Sequence, residues 1–330
     1  MINAAIIGLG WWGQKVVEDL RDSEHIRVLL GIDPSPASRE LAAAAGLATK
    51  PTYADALRDP RLDAVILCTP HKFHAEQIVA AAQAGKHVFC EKPLTTNADQ
   101  ARAAIDAVMQ AGVQLGIGHE RRFEPAILKL RDMCRSGALG VPLVLEGNFS
   151  QDKFLELPPN NWRLSNIEAP VGPLSATGIH LVDLAIAIFG RPAEVWARLS
   201  TQATTFDNGD TLTITMAFES GQTAMITAIL TTPFVGRVAV LGSKGWMEIR
   251  DRAHPEKPQG WDVTTVLRGG EPVEEFYTPH PSVRDNIEQF ARAVAGETTY
   301  SVTMQEMLAN VQAFEAISKS AGSGRVEPVG

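Results

Sequence analysis

Cysteine is scarce in this chain, and its spacing fits no metal site. The 330 residues contain three cysteines, Cys68, Cys90 and Cys134, and they match no zinc-binding pattern. Cys68 and Cys90 stand at the ends of apolar, strand-like runs, so we expect buried or half-buried free thiols. Free thiols persist in a reducing compartment.

The sequence also lacks the segments that send a chain into or across a membrane. An apolar, strand-like run begins at Ile2. The charged segment, the hydrophobic segment and the cleavage site of a signal peptide are all lacking, so no signal peptide is expected. No apolar run reaches the ~20 residues that span a bilayer. Basic residues form no run, and the net charge of −8 argues against a nucleic-acid groove. We expect a cytoplasmic protein without nucleic-acid or membrane partners.

What is present in the first 120 residues is an alternation of apolar runs and helical patterns. Residues 4–8, 26–32, 64–68, 87–90 and 113–117 are predicted strands. Residues 12–21, 36–45, 74–84 and 98–110 are predicted helices, with glycine where several of them should end. Such alternation predicts a doubly wound parallel sheet covered on both faces. A chain of this length is expected to form two domains, here 1–120 and 121–330.

The second half favours a different, α+β architecture. Strands are predicted at 141–151, 195–202, 211–219, 222–232, 238–241, 245–250 and 262–267, with a hairpin turn at residues 219–222. Helices are predicted at 125–136, 179–189, 283–295 and 304–320. An open, mainly antiparallel sheet with helices on one face leaves the other face free. An apolar free face needs a partner, so we expect a homodimer or homotetramer through this sheet.

The first strand runs into a dinucleotide-binding fingerprint. Gly8, Gly10 and Gly13 fit G-x-G-x-x-G between a strand and a helix, which is the context the motif requires. Gly8 permits the turn, Gly10 lets a pyrophosphate approach the backbone, and Gly13 lets the helix pack on the strand. The helix N-terminus attracts the phosphates. Of Trp11 and Trp12, one is expected at the cofactor and the other beneath the helix.

Asp33 ends the second strand, about twenty residues after the turn, where a carboxylate binds the adenosine ribose. It would repel a 2′-phosphate, which favours NAD over NADP. Ser35 and Arg39 lie close in sequence and could bind a phosphate, so NADP stays possible. A helix N-cap is the alternative role for Asp33.

Lys92 follows the strand at 87–90, and ligands of doubly wound sheets bind beyond the strand ends. Its ammonium could stabilise negative charge on a reacting oxygen. The Lys92–Pro93 bond could be cis, which would turn the lysine side chain sharply. From spacing alone, a solvated loop lysine is an equal interpretation.

A family resemblance favours the catalytic interpretation. The segment from Ala84 to Pro93, which ends in Glu91-Lys92-Pro93, resembles the signature of the Gfo/Idh/MocA oxidoreductases. Similar matches recur at residues 69–74, 121–123, 136–140, 162–163 and 178–183. The resemblance implies a two-domain enzyme that uses NAD or NADP, without a metal, and usually interconverts a ring hydroxyl and a ketone on a sugar or cyclic polyol.

The resemblance also implies site residues. Lys92 would be the catalytic lysine and His180 the acid/base, with an imidazole suited to proton exchange near neutral pH. Asp183 could orient that imidazole, or it could stabilise the helix N-terminus. The family's Asp four residues before the histidine is Ala176 here, so either His180 works with Lys92 alone or Thr177 supplies a weak hydrogen bond.

The remaining implied contacts fall into two groups. Expected at the cofactor, besides the glycine turn and Asp33, are Thr69, Pro70, His71, His74, Glu91 and Lys92. Expected at the substrate are Lys92, His119, Arg122, Trp162, Arg163, Thr177 and His180. A structural salt bridge is an equal role for Arg122, and a core position is an equal role for Trp162.

Two rival functions remain open at this stage. A dehydrogenase of a non-sugar substrate, such as an aromatic dihydrodiol or a semialdehyde, could use Arg122 or Arg163 to hold a carboxylate. A non-catalytic nucleotide-binding sensor would be expected to lack the lysine or the histidine, and both are present.

Overall fold

A computed structural model describes all residues, Met1–Gly330, and shows two compact units. The first unit comprises Met1–Glu120 and Pro281–Leu308. The second comprises Arg121–His280 and Ala309–Gly330. No helix is both long enough and apolar enough to cross a membrane.

The first unit contains a six-stranded parallel sheet. Its strands, in chain order, are β1 (Ile2–Ile7), β2 (Ile26–Ile32), β3 (Thr49–Lys50), β4 (Ala64–Leu67), β5 (His87–Cys90) and β6 (Leu115–Ile117). Their order across the sheet is β3-β2-β1-β4-β5-β6, the doubly wound arrangement with a reversal beside β1. The predicted Rossmann sheet is thus confirmed, and β3 is a short strand that the sequence pattern did not indicate.

The helices of this unit follow the strands in turn. They are α1 (Trp11–Asp19), α2 (Pro36–Ala44), α3 (Tyr53–Leu57), α4 (His74–Gln83) and α5 (Ala98–Ala111). Asn97 caps α5 by accepting hydrogen bonds from two backbone N–H groups, and Gly112 ends it at φ +66°. The buried faces of the sheet are continuous runs of Ala, Ile, Leu and Val, as expected of strands covered on both sides.

One segment differs from the predicted division of the chain. Residues 281–308 were expected in the second domain, whereas the structure groups them with the first unit. Within them α8 (Ser282–Val294) places Phe290 against Phe89 of β5, with ring centroids 5.6 Å apart. Gly116 makes this contact possible, because a Cβ there would lie 2.8 Å from the Phe290 ring. Local periodicity predicts the helix but carries no information about which sheet it packs on.

The second unit is built on a nine-stranded sheet. Its strands are β7 (Pro142–Ser150), β8 (Pro192–Ser200), β9 (Thr211–Phe218), β10 (Thr223–Ile229), β11 (Val235–Gly242), β12 (Gly245–Asp251), β13 (Trp261–Leu267), β14 (Val273–Tyr277) and β15 (Glu327–Pro328). The order is β14-β13-β12-β11-β7-β10-β9-β8-β15, and only the pairing of β7 with β10 is parallel. The sheet is open and mainly antiparallel, as predicted, and it includes β14 and β15, which the pattern did not indicate.

Helices cover one face of this sheet. They include α6 (Pro125–Arg135) and α7 (Ile179–Phe189), while α9 (Met304–Ser323) crosses the boundary between the units at Leu308. The predicted hairpin joins β9 and β10, with Gly221 at φ +92° and the Phe218 N–H bonded to the Gln222 carbonyl. Side chains alternate along the strands, so one set enters the core and the other faces away from it.

Candidate active site

The glycine turn of the first unit has the shape that a dinucleotide needs. Gly8 adopts φ +96°, and a Cβ there would lie 2.7 Å from the Cys68 carbonyl oxygen. A Cβ on Gly13 would collide with the carbonyl oxygen of Gly8, so this glycine is required for the helix to pack on the turn. A Cβ on Gly10, the N-cap of α1, would meet nothing within 4 Å. The open space over Gly10 therefore fits a pyrophosphate at the helix N-terminus.

Asp33 lies beside that turn and is not a helix N-cap. Its Oδ2 accepts from the Leu9 N–H at 2.8 Å and its Oδ1 accepts from the Ser35 N–H at 2.8 Å. Ser35 is the N-cap of α2, with its hydroxyl accepting from Ser38. Arg39 donates from Nη1 to the carbonyl oxygens of Asp33 and Pro34. The carboxylate is thus held at the end of β2, with a guanidinium next to it.

The two tryptophans after Gly10 have different environments. Trp12 packs on the apolar core of the first unit, whereas Trp11 is 52% exposed. The two rings form an edge-to-face pair with centroids 5.3 Å apart. Trp12 is therefore the packing residue of the pair, and Trp11 is the one accessible to a ligand.

His74 lies between the segments that follow β4 and β5. The ring is fully buried, with Nδ1 2.8 Å from the Pro93 carbonyl oxygen and Nε2 2.9 Å from the Thr69 carbonyl oxygen. Burial lowers the pKa of the ring, and the hydrogen bonds to the backbone carbonyls oppose that shift. The expectation that His74 contacts the cofactor does not match this arrangement, because backbone carbonyls occupy both ring nitrogens. It connects the strand ends of β4 and β5 instead.

The residues around His74 line the carboxyl end of β4. The Thr69 hydroxyl donates to Gln77 at 2.6 Å. Pro70 precedes a 3-10 turn at His71–Phe73, in which the His71 ring lies 5.9 Å from the His74 ring. Thr69, Pro70 and His71 are all half-buried, so they remain accessible at this edge of the sheet.

Lys92 and Glu91 follow β5 at the same edge. Lys92 is half-buried and its peptide bond to Pro93 is cis. The Glu91 carboxylate is buried, accepts from the Lys92 N–H at 3.3 Å, and lies over Gly118, where a Cβ would collide with it. Burial and then the charge of Glu120 raise the pKa of Glu91 to about 7. The indole of Trp12 and the charge of Lys92 oppose that shift.

The end of β6 brings two further polar residues to this edge. His119 is 2% exposed and Glu120 is 8% exposed. The His119 N–H is bonded to the Ile117 carbonyl oxygen at 2.8 Å. The charge of Glu120 acts on Glu91 because β5 and β6 are neighbours in the sheet.

In the second unit, His180 stands at the start of α7, directly after a π-helical turn at Leu174–Gly178. His180 is 5% exposed. The Thr177 hydroxyl donates to the Pro173 carbonyl oxygen at 3.2 Å, so the expected hydrogen bond from Thr177 to His180 is not found. Ala176 is half-buried, while the residues on either side of it are buried.

Arg122 forms a buried ion pair. It donates from Nε to Asp183 Oδ2 at 2.8 Å and from Nη2 to Oδ1 at 2.6 Å. The two side chains are 1% and 2% exposed. The sequence allowed a structural salt bridge for Arg122, and the structure contains it. Asp183 was expected to orient His180 or to stabilise the helix N-terminus, and its pairing with Arg122 was not foreseen. Because Asp183 lies one turn after His180, this pair anchors the first turn of α7.

Trp162 and Arg163 occupy a short 3-10 turn, Trp162–Leu164, that Asn161 caps. The Arg163 guanidinium lies over the Trp162 ring, 4.4 Å from its centroid. Both residues are half-buried. Burial lowers the pKa of Arg163, and the charge of Glu256 acts in the opposite direction. The half-buried indole and the guanidinium are therefore held against each other.

The structure adds an aromatic group that sequence reasoning missed. The Phe149 ring lies 5.7 Å from His180, 5.5 Å from His254 and 6.2 Å from Phe234. Arg121 lies over Phe149, 5.3 Å from the ring centroid, and is bonded to Asp251. These residues come from the 3-10 turn at Glu120–Phe123, β7, α7, the loop before β11, β12 and the loop after β12. No local pattern could have connected them.

Gln151 was also missed. It is 6% exposed, and its Oε1 is buried without a protein partner. It lies two residues after Phe149, a spacing that places alternate residues of a strand on the same face. Since an unsatisfied buried acceptor costs about 1–3 kcal/mol, this amide oxygen is a candidate acceptor for a ligand hydroxyl.

Comparison with known proteins matches both halves of the chain. Residues 2–119 match the oxidoreductase family with an NAD-binding Rossmann fold, and residues 127–248 match the GFO/IDH/MocA C-terminal domain. The D-xylose 1-dehydrogenase (NADP(+)) 2 of Haloferax volcanii is 31% identical over 97% of each chain. The scyllo-inositol 2-dehydrogenase (NAD(+)) of Bacillus subtilis is 28% identical over 98% of this chain and 95% of the relative.

A solved structure supports the same conclusion. The aldose–aldose oxidoreductase of Caulobacter crescentus superposes with a TM-score of 0.88 at 26% identity, covering 99% of each chain. Fold, glycine turn and family models agree, so the predicted enzyme class and nicotinamide cofactor are confirmed. The chain belongs to the Gfo/Idh/MocA family of NAD(P)-dependent oxidoreductases.

Proposed function

We propose that the protein interconverts a ring hydroxyl and a ketone on a sugar, inositol or related cyclic polyol. The observation that carries this proposal is the position of Lys92, half-buried directly beyond β5 in the sheet whose β1 leads into the open glycine turn. The named relatives act on xylose and scyllo-inositol. Both substrates carry several hydroxyl groups, which agrees with the unsatisfied amide oxygen of Gln151 in the second unit.

The chain's own residues divide the chemistry between them. A nicotinamide dinucleotide, when bound at the turn of Gly8, Gly10 and Gly13, supplies the hydride acceptor or donor. Lys92 would donate a hydrogen bond to the reacting oxygen and stabilise negative charge on it. His180 would accept the hydroxyl proton in oxidation and return it in reduction. Phe149 packs beside His180 and Asp183 is anchored by Arg122, so the imidazole is held on a rigid element.

For the cofactor we propose NAD in preference to NADP. The Asp33 carboxylate is fixed by the N–H groups of Leu9 and Ser35 at the end of β2, where it would repel a 2′-phosphate. Arg39 is tied to two backbone carbonyls through Nη1, and its remaining N–H groups keep NADP as a weaker ligand. Calorimetry with each dinucleotide checks this order.

For assembly we propose a homodimer or homotetramer through the face of the nine-stranded sheet that points away from α7. Trp196, Met225, Leu241 and Trp246 are 37%, 52%, 37% and 36% exposed and alternate with core residues on their strands. An apolar surface of this kind favours a partner. The molar mass from light scattering should be that of a dimer or a larger oligomer. Met225→Arg should shift the equilibrium toward the monomer. We also propose a cytoplasmic location, in keeping with the free thiols.

The test of the activity is turnover of a panel of sugars, inositols and aromatic diols, followed by the absorbance of NADH. Lys92→Ala should keep dinucleotide binding and lose most turnover, by a factor of about 10² to 10⁴. Full activity in this variant would overturn the role of Lys92. Turnover of aromatic diols alone would instead favour the non-sugar alternative, and dinucleotide binding with no turnover of any compound would favour a sensor.

A further inference from the structure

Val171 has a backbone conformation that its side chain disfavours. Its φ of +50° makes it the one residue other than glycine with a positive φ in the chain, and a β-branched residue is a clear outlier there. The side chain is 4% exposed and packs in the core of the second unit. Such a conformation persists only where the surrounding contacts hold it, and it occurs preferentially at functional sites.

This strained residue starts the turn that leads to His180. The Val171 carbonyl oxygen accepts from the Leu174 N–H at 2.8 Å and from the Ser175 N–H at 3.1 Å, at the beginning of the π-helical turn Leu174–Gly178. His180 is the second residue of α7, which follows that turn without a break. A change in the backbone at Val171 would therefore be passed along the turn to the imidazole.

Asn208 holds the backbone on both sides of Val171. Its side chain is 0% exposed, and its Nδ2 donates to the Ala169 carbonyl oxygen at 2.8 Å. Its own backbone carbonyl oxygen accepts from the Gly172 N–H at 2.7 Å. A Cβ on Gly172 would lie 2.8 Å from the Asn208 side chain, so the two are in close contact. Asn208 thus fixes the residues that flank the strained position.

The same amide also binds the turn that carries a predicted substrate residue. Nδ2 of Asn208 donates to the Arg163 carbonyl oxygen at 2.7 Å, within the 3-10 turn Trp162–Leu164. A side-chain amide has two N–H groups, and with Ala169 and Arg163 as acceptors both are used. One buried side chain therefore joins the turn of Arg163 to the segment that leads to His180.

The loop that carries Asn208 is itself fixed. It connects β8 and β9, and the buried carboxylate of Asp210 accepts from the Ala203 N–H at 2.8 Å across the loop. A Cβ on Gly209 would lie 2.5 Å from the Leu199 side chain, so the loop packs closely on the end of β8. Residues that position a site need support of this kind.

We propose that Asn208 is a positioning residue, which keeps Val171 in its strained conformation and so holds the His180 imidazole and the Arg163 turn in one arrangement. It acts through the backbone of residues 163–180 rather than by contact with a substrate. The inference rests on the proposed function for the roles of His180 and Arg163, whereas its effect on the backbone can be measured without turnover.

The first test is the oxidation of xylose or scyllo-inositol with NAD. Asn208→Ala should lower kcat per folded molecule by about 10²-fold, the loss expected from a displacement of about 1 Å at a reacting group. The KM for NAD should stay unchanged, because the glycine turn belongs to the first unit. Asn208→Ser, whose hydroxyl can donate to only one carbonyl oxygen, should fall between the two and replaces Asn208→Ala if that variant does not fold.

Val171→Gly distinguishes positioning from general stability. Added to Asn208→Ala, it should raise kcat about tenfold, because glycine adopts a positive φ without support from its neighbours. The same change removes a side chain from the core and should lower the melting temperature further, so the recovery cannot come from added stability. A merely structural role for Asn208 gives no such recovery.

Ser320→Ala is the matched control. Ser320 is also fully buried in the second unit, where its hydroxyl accepts from the Ala197 N–H and donates to the Arg325 carbonyl oxygen. Its loss should lower the melting temperature and leave kcat per folded molecule unchanged. A fall in kcat equal to that of Asn208→Ala would show that any buried polar contact of this unit has the same effect, and would overturn the proposal.

Hydrogen exchange separates failure of this inference from failure of the proposed function. The amides of residues 163–180 should exchange faster in Asn208→Ala than in the wild type, while those of the first unit should not change. If neither compound is turned over but this local increase is seen, the proposed function falls and the role of Asn208 in holding the backbone stands. If the folded variants keep the exchange or the kcat of the wild type, or if Val171→Gly restores no activity, the inference is wrong.

Discussion

The buried pair of Arg122 and Asp183 offers a quantitative test of how the second unit is held together. Asp183→Asn removes the carboxylate from a guanidinium that is 1% exposed and makes two short hydrogen bonds to it. Breaking a buried ion pair by removing one partner costs about 3–5 kcal/mol. A unit of this size changes its melting temperature by about 2–4 °C per kcal/mol. We therefore expect the melting temperature to fall by about 6–20 °C.

The assay is thermal and urea unfolding followed by circular dichroism. Asp99→Asn is the matched control, because Asp99 pairs with Arg102 where the side chains are 90% and 44% exposed, and exposed pairs contribute about 0–1 kcal/mol. Replacing both members, as Arg122→Met with Asp183→Leu, should be less damaging than Asp183→Asn, because no buried charge is left. A loss below about 1 kcal/mol in Asp183→Asn, equal to that of the control, would refute the reasoning.

Three further results are expected. Gly10→Ala should weaken NADH binding in calorimetry with little change in melting temperature. Gly13→Ala should lower the melting temperature, since its Cβ collides with Gly8. Equal effects of the two variants would contradict the different roles given to these glycines. Burial raises the pKa of Glu91 from 4.5 to about 7, so the folded state binds the extra proton, and this contribution to stability is present below pH 4.5 and is lost as the pH rises through 7. Glu91→Gln should remove this pH dependence, which is worth about 3 kcal/mol in the free energy of unfolding. Urea unfolding measured between pH 5 and 8 checks this. If the free energy of unfolding varies with pH in the variant as it does in the wild type, the role of the buried carboxyl is wrong. Ala176→Asp places a carboxylate four residues before His180 and should favour the protonated imidazole. The acid limb of the pH–rate profile should then move up by about one pH unit. Ala176→Asn is the control, and identical profiles for the two variants would contradict the expectation.

Several features of the site were accessible from sequence because they depend on neighbouring residues. The glycine turn depends on the backbone freedom of Gly8, the open approach at Gly10 and the close packing at Gly13, and each requirement is local. The apolar runs and helical patterns of the first 120 residues repeat at the strand and helix periods, and the sheet formed as they indicate. Lys92 could be placed at a strand end for the same reason.

Other features required contacts between distant parts of the chain. The carboxylate that Arg122 binds is 61 residues away, and either a substrate contact or a salt bridge was consistent with its position in the sequence. His74 looked like a cofactor residue, but burial and two backbone carbonyls give it a supporting role.

By itself, the sequence determined the fold class, the cofactor turn and the family, because strand alternation, helix caps and glycine geometry are properties of a few consecutive residues. The tertiary structure alone decided which charges are paired, that His74 is fully buried and which sheet α8 joins. Those outcomes depend on desolvation and on packing between residues far apart in the chain. Residues 281–308 show the difference plainly, since their helix was predicted correctly and their unit was not.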